Sequence, residues 1–258
     1  MKDNKIAAAL DTLTPHTVAK ERMLEQILQT IYNGKTKDVL RGGDDFYLLF
    51  KDSATGADGV FDPGFNTVGG SVEGKGRTGL TIAAYFFGLM EAAGVATHYL
   101  GADLDKCLMK VKKVDVPKLE FVLRYFTAGS MCRRFTLDSG IAFDPPHLEV
   151  TLKDDDQGDP LISERLCLMK GLLNEGEYQK AIDLLIRVGG VLRDELKRLG
   201  LTLIDFKIEI GFDQQRNIYV ADEITPDIWR AQDASGKVPN QIDSARLMAG
   251  VLNITLYD

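Results

Sequence analysis

The chain has 258 residues, 45% of them hydrophobic, and a formal net charge of −7. That is ample for a globular core, and the acidic balance excludes a surface built to coat nucleic acid while leaving room for a basic pocket that takes a small phosphorylated ligand. The three cysteines (Cys107, Cys132, Cys167) and three histidines (His16, His98, His147) lack ligand spacing, which argues against a disulfide framework or a zinc site.

Residues 1–27 set Leu10, Leu13, Val18 and Leu24 among polar residues and predict a helical extension starting after Thr14-Pro15, an arm compatible with a homo-oligomer. The opening Met1-Lys-Asp-Asn-Lys-Ile lacks the apolar core of a signal peptide. Leu28–Tyr32, Lys37–Leu40 and Phe46–Phe50 read as short strands. Ser53 to Gly76 is rich in Gly, Asp and Pro and predicts a long loop. A buried helix is expected over Thr78–Ala93, closed by Gly94. Its charge-free stretch, Gly79 to Met90, is too short to span a bilayer, so the expectation is a cytoplasmic chain with no membrane partner.

Ala96–Leu100, Cys107–Val114 and Leu119–Tyr125 follow as strands. Phe143 to Pro160 reads as a loop crossed by a short strand at Leu148–Leu152. Between Glu164 and Gly200 lie one or two amphipathic helices, with Ile182, Leu185, Ile186, Val188, Leu192 and Leu196 at helical spacing. The segment from Gln241 is helical at first. The pattern is α+β, with a small strand-rich lobe over residues 28–115 and a larger mixed lobe over 116–258.

The most informative stretch is Asp205-Phe-Lys-Ile-Glu-Ile-Gly211 with Asn217-Ile-Tyr-Val-Ala221 and Asp222. In a strand, residues two apart share a face, so Asp205, Lys207 and Glu209 line one side and Phe206, Ile208 and Ile210 the other. A four-residue loop, Gln214 to Asn217, would place Glu209 opposite Asp222. Such a pair either belongs to a salt-bridged hairpin or holds a hard divalent cation shared with a polyphosphate.

Other motifs are weaker alone. Asn33-Gly34-Lys35-Thr36-Lys37 puts two cations on one strand face, either as a charged hairpin or against phosphates. Arg124, followed by Thr127-Ala-Gly129-Ser130, offers a guanidinium and a Gly-Ser turn to an anion, and Ser130 equally reads as a helix N-cap. Lys112-Lys113 reads either as a solvated pair or as one phosphate ligand. Lys153-Asp-Asp155-Asp followed by Asp159-Pro160 is an acidic turn, and Asp227 and Arg230 stand on a loop after the carboxylate pair.

Together these motifs run in one order: GKTK, SATGADG, EGKG, GVATH, VKKVDV, R-x₄-GS, PPHLEVTLKDDD…DPLIS, LIDFKIEIG and DEITPD-x-x-R. The succession, from Thr30 to Asp233, resembles the SAICAR synthetases (phosphoribosylaminoimidazole-succinocarboxamide synthases) of purine biosynthesis. The resemblance implies two α+β lobes, the smaller like the nucleotide lobe of protein kinases. It implies a ligase that uses ATP and Mg²⁺ to join L-aspartate to the carboxylate of carboxyaminoimidazole ribonucleotide. By the same resemblance, Gly34, Lys35, Lys37 and Lys112 hold ATP, and Glu209 and Asp222 hold Mg²⁺. Arg124, Gly129, Ser130 and Arg230 grip the ribonucleotide, and Asp155 and Asp159 lie in the acidic substrate loop. Lys207 faces the acyl phosphate, and Asp205 orients it or the amine.

Four departures fall on the substrate side: Tyr125-Phe126 after Arg124, Arg77-Thr78 after the EGKG motif, Gly158 where a histidine is frequent, and Ala231-Gln232 after Arg230; the family's later Asp-Lys…Arg segment is also not evident over Gly236–Arg246. They keep a second ligase reading open, a paralogue acting on another azole ribonucleotide. Further rivals are a small-molecule kinase and a nucleotide-binding pseudo-enzyme.

Overall fold

A computed structural model describes residues 28–57, 60–61 and 67–251. The expected amino-terminal helical extension lies outside these residues. Among the described residues, an antiparallel sheet in the order β1-β2-β3-β8-β7 comes first in the chain. Its strands are β1 (Gln29–Asn33), β2 (Lys37–Gly42), β3 (Asp45–Phe50), β7 (Tyr99–Asp103) and β8 (Leu108–Val111). A second sheet follows the order β10-β9-β11-β12, with β13 also paired to β11. Here β9 is Leu119–Phe126, β10 Ala142–Leu152, β11 Thr202–Phe212, β12 Ile218–Ala221 and β13 Trp229–Gln232. This is the α+β, two-lobed arrangement expected from the sequence.

The Gly-rich stretch read as a long loop instead folds into a small sheet, β5-β4-β6, from β4 (Ser53–Ala57), β5 (Val60–Phe61) and β6 (Val68–Ser71). Its backbones pass so close that a Cβ at Gly69 would stand 2.8 Å from the Gly56 Cα. Glycine here permits pairing, whereas strand propensity scores it as a breaker. Helix α1 (Lys75–Ala92) also begins three residues earlier than expected. The Gly76 amide donates to Asp52 Oδ1 at 2.9 Å, fixing the first turn beside β4. It ends as the sequence predicts, with the Gly94 amide bonded to Glu91 O.

Helix α2 (Ser130–Phe135) starts after Gly129, so Gly129 and not Ser130 occupies the N-cap. Short α3 (Glu164–Met169) is capped by Ser163, and α4 (Glu177–Arg198) packs along the back of β11 and β9. Ala181, Leu185, Val188, Leu192 and Leu196 form its buried stripe, while Ile186 turns outward with half its surface exposed, contrary to expectation. Helix α5 (Gln241–Val251) lies against α1. Phe206, Ile208 and Ile210 are buried in one core with Phe86, Phe87 and Leu185, as strand alternation requires. Burying the polar counterpart of that face, Asp205, Lys207 and Glu209, costs free energy unless each charge finds a partner. No helix among the described residues is long and apolar enough to cross a membrane.

Candidate active site

The candidate functional surface is the other face of the second sheet. Alternation places Arg124 and Glu120 of β9, Glu149 and Lys153 at the β10 end, and Asp205, Lys207 and Glu209 of β11 side by side. Each charge on this face is held by an opposite charge from another element.

At one end stands a lysine–carboxylate centre. The Lys37 Nζ donates to Glu223 and lies 3.3 Å from Asp222 Oδ1. Lys153 Nζ meets Glu209 Oε1 at 2.5 Å, and Thr225 Oγ1 donates to Glu223 Oε2 at 2.6 Å. The β11–β12 register differs from the sequence expectation: Glu209 lies opposite Ala221, not Asp222. The loop is one residue longer than expected, spanning residues 213–217. Asp213 organises it, accepting the amides of Gln215 and Asn217 at 2.9 Å each. Asp222 follows the strand with φ +62°.

Glu209 and Asp222 nevertheless stand near enough for their charges to interact, both of them partly buried. Burial and the Asp222 charge push the Glu209 carboxyl up to about 7, against the pull of Lys153. Asp222 stays below the usual carboxylate range because Lys37 and Lys153 outweigh its burial. Burial would lower the Lys37 amine, but Asp222 and Glu223 hold it well above its ordinary value. His98, also buried, is pushed down to about 4 by desolvation and is neutral. Its Nε2 lies 3.1 Å from the Asp222 carbonyl oxygen, which only accepts, so Nε2 carries the proton.

At the other end is a cavity of about 340 Å³ whose wall includes Arg124, Ser130, Asp159, Asp205, Lys207 and Arg230. Buried Arg124 gives its Nε to Glu149 Oε2 at 2.9 Å and its NH1 to Asp205. Arg230 gives NH1 to the same Asp205 oxygen at 2.8 Å. Arg230 is not on a loop as expected but in β13, directly opposite Asp205. Burial raises the Asp205 pKa while Arg230 and Arg124 oppose the rise. With two guanidiniums bonded to it, we treat Asp205 as the carboxylate. Gly129, at φ +59°, makes room for Arg230: an added Cβ would stand 2.4 Å from its NH1. Lys207, on the strand between the two ends, donates to Glu120 Oε1 at 2.8 Å.

The remaining expected residues fall as follows. Gly34 forms the β1–β2 turn, its amide bonded to Lys37 O at 2.9 Å. Lys35 stands in that turn, so it does not share a strand face with Lys37, where β2 begins. Lys112 Nζ sits 4.2 Å from the centre of the Tyr219 ring. Asp155 belongs to a single 3₁₀ turn, Asp155–Gln157, and Asp159 accepts the Asp154 amide at 2.9 Å. Sequence reasoning missed Glu223, Glu120 and Glu149, read Lys153 as part of a solvated turn, and overlooked Lys75, which bonds Asp227. The available signal was that Lys75, Glu149, Lys153 and Glu223 lie inside the quoted motifs, while Glu120 stands four residues before Arg124 on the same strand face.

Two of the four departures point away from the cavity. Tyr125 lies on the opposite face of β9, its hydroxyl against Gly189 of α4 and its ring 5.4 Å from the Arg193 guanidinium. Ala231, next to Arg230 in β13, turns to the other face and is buried in the main core. Arg77 pairs with Asp105 at 3.2 Å, and Gly158 alone of the four lines the cavity.

Among the described residues, no group of three or more His, Cys, Asp or Glu side chains converges on a metal position. The converging Glu209 and Asp222 still suit Mg²⁺, which takes hard oxygen ligands and commonly uses only one or two protein carboxylates, with water and phosphate supplying the rest.

A nucleotide-scale polar cleft on this two-lobed α+β frame defines a class that the comparisons name. The SAICAR synthetase family model matches residues 30–253. Over 210 residues the chain is 40% identical to phosphoribosylaminoimidazole-succinocarboxamide synthase of Clostridium tetani, covering 79% of this chain and 92% of that protein. The structure is similar to a type-2 SAICAR synthetase in complex with ADP, with TM-score 0.78 and 29% identity over 88% of this chain and 99% of the other. It is also similar to the Ehrlichia chaffeensis synthase, with TM-score 0.79 and 26% identity over the same shares. The chain belongs to the SAICAR synthetase family.

Proposed function

We infer that this protein is an ATP-dependent ligase forming SAICAR: it joins L-aspartate to the carboxylate of carboxyaminoimidazole ribonucleotide through an acyl phosphate. The observation that carries this reading is the continuous polar face of β11. Asp205 stands in the arginine-walled cavity, Lys207 lies midway and Glu209 is in the lysine–carboxylate centre. A ribonucleotide phosphate in the cavity and a nucleotide at the centre would then meet near Lys207. The relatives reported above are all SAICAR synthetases, which favours the purine intermediate over another azole ribonucleotide.

The chemistry needs no enzyme nucleophile. The substrate carboxylate oxygen attacks the γ-phosphorus, the bond to the bridging oxygen breaks, and ADP leaves. The amine of aspartate then attacks the acyl carbon, expelling phosphate, and the ammonium proton passes to solvent or to a neighbouring carboxylate. Phosphoryl transfer demands cations around spreading negative charge. Lys207, held by Glu120, is placed to face the transferred group, and Lys35, Lys37 and Lys112 are proposed for the ATP phosphates. Glu209 and Asp222 would hold Mg²⁺, which neutralises phosphate oxygens when bound. Arg124, Ser130 and Arg230, with the Gly129 turn, are proposed to bind the ribonucleotide, and Asp205 fixes both arginines. Asp155 and Asp159 are proposed for the amine side.

The test is ADP release with Mg-ATP, the ribonucleotide and L-aspartate, omitting each in turn. Release that needs all three, with the succinocarboxamide seen by mass, is expected. Release with the ribonucleotide but without aspartate would indicate a kinase or uncoupled hydrolysis of the acyl phosphate, and binding of ATP with no release would move the search to other carboxylates.

A further inference from the structure

The cavity wall holds a chain of five charges: Arg134, Glu149, Arg124, Asp205 and Arg230, each bonded to the next. Glu149 is the link between secondary structures. Its Oε2 accepts Arg124 Nε from β9, and its Oε1 accepts Arg134 NH2 from α2, while its side chain is only 2% exposed. Both guanidiniums line the cavity. This buried carboxylate spends both oxygens on two cavity arginines, with the half-exposed His147 ring farther off at 3.8 Å from Oε1. The arginines hold its pKa below the usual value despite burial, so it is ionised when they are bound.

We propose that Glu149 is a positioning residue for anion recognition, fixing Arg124 and Arg134 at the spacing and tilt that let both face one phosphate. This rests on the reading of the cavity as the ribonucleotide site. The physical reason lies in the guanidinium fork. Arginine recognises phosphate through planar, directed N–H groups, so a carboxylate gripping one edge sets where the other edge points. Six-residue α2 has little else to aim Arg134: its NH1 reaches Ser130 Oγ only at 3.5 Å. Glu149 touches no reacting atom in this scheme.

The test compares Glu149→Gln and Arg134→Gln with the unaltered protein. Binding of inorganic phosphate and of ribose 5-phosphate is followed by calorimetry, and KM for ribonucleotide, KM for ATP and kcat are measured separately. Losing an oriented charge partner predicts roughly tenfold weaker binding of both phosphates in Glu149→Gln. KM for the ribonucleotide should rise in parallel while KM for ATP stays within about twofold, a split that general loosening of the fold would not give. The double variant should bind less weakly than the two single effects multiplied together, because part of each change removes the same arrangement. Unchanged phosphate binding in a folded Glu149→Gln overturns the proposal. Should that variant not fold, Glu149→Asp, which keeps the charge and shortens its reach to both arginines, decides by the same binding measurement. Phosphate binding is independent of turnover, so a protein that binds phosphate but makes no SAICAR would overturn the proposed reaction and leave Glu149 to be judged by calorimetry.

Discussion

The two ends of the polar sheet face solve opposite problems. On the proposed reading, the Glu209–Asp222 end offers carboxylates to a metal ion and lysines to phosphates, each pairing with the other until a ligand arrives. The Arg124–Arg230 end offers guanidiniums to a ligand, and Asp205 and Glu149 hold them. Lysine is a compact charge on a flexible stem, so its pairing is easily exchanged when a divalent ion and phosphates arrive. Arginine pairs through a rigid fork, and a buried arginine–carboxylate chain is scaffolding that stays put. One end is built to be rearranged by its ligand and the other to be found ready.

If so, the two ends should fail differently. Glu209→Gln or Asp222→Asn should lower kcat by at least about a hundredfold, because each removes a group whose effect is electrostatic at the reacting phosphate. The fold should survive, and circular dichroism together with kcat over a Mg²⁺ titration checks both points. Unchanged turnover in either variant would remove the metal role. Arg124→Ala leaves buried Glu149 with Arg134 alone and Asp205 with Arg230 alone, so it should cost about 1–3 kcal/mol in urea unfolding as well as raising the ribonucleotide KM at least about tenfold. A KM effect without destabilisation would mean that the arginine end is as exchangeable as the other.

His98 sharpens the contrast through pH. Its folded pKa, about 4, lies below the ordinary 6.5, so between those values the unfolded chain binds the extra proton. Stability contributed by the neutral ring is therefore complete above pH 6.5 and is lost as pH falls toward 4. Relative to His98→Gln, the unaltered protein should lose roughly 2–3 kcal/mol across that window, read from urea midpoints. A constant difference would mean that the ring is not buried neutral. The smallest effect is expected for Gly129→Ala. Its φ of +59° and the crowding of Arg230 predict about 1–3 kcal/mol of strain and a severalfold rise in ribonucleotide KM, with kcat nearly unchanged. Equal KM in this variant would show that Arg230 can move without cost.

The alternation of Asp205, Lys207 and Glu209 was legible because a period of two needs only the strand itself. The register of Asp222 was not: Asp213 adds a residue to the loop through side-chain bonds that no hydrophobic pattern records. Glu120, Glu149, Glu223 and Lys153 escaped for another reason. Their meaning lies in partners up to 186 residues away in the chain, and each alone reads as a surface charge. The Gly-rich stretch became a small sheet because close backbone approach, not side-chain propensity, holds it. Tyr125 shows the reverse error. As a letter in a motif it suggested an altered pocket, yet strand alternation sends it to the face of β9 that packs on α4.

The course of β11 also fixes a length. Four strand steps from Asp205 to Glu209 span about 13 Å at ~3.3 Å per residue, and the sheet on either side keeps that interval from stretching. On the proposed reading the strand is thus a ruler from the anchoring phosphate in the Asp205 cavity to the place of reaction at Lys207, two steps along, with the Glu209 metal centre two steps beyond. A carboxylated azole without its ribose phosphate would lack the reach to touch both marks. Selection here would depend on how long a molecule is as much as on which groups it carries.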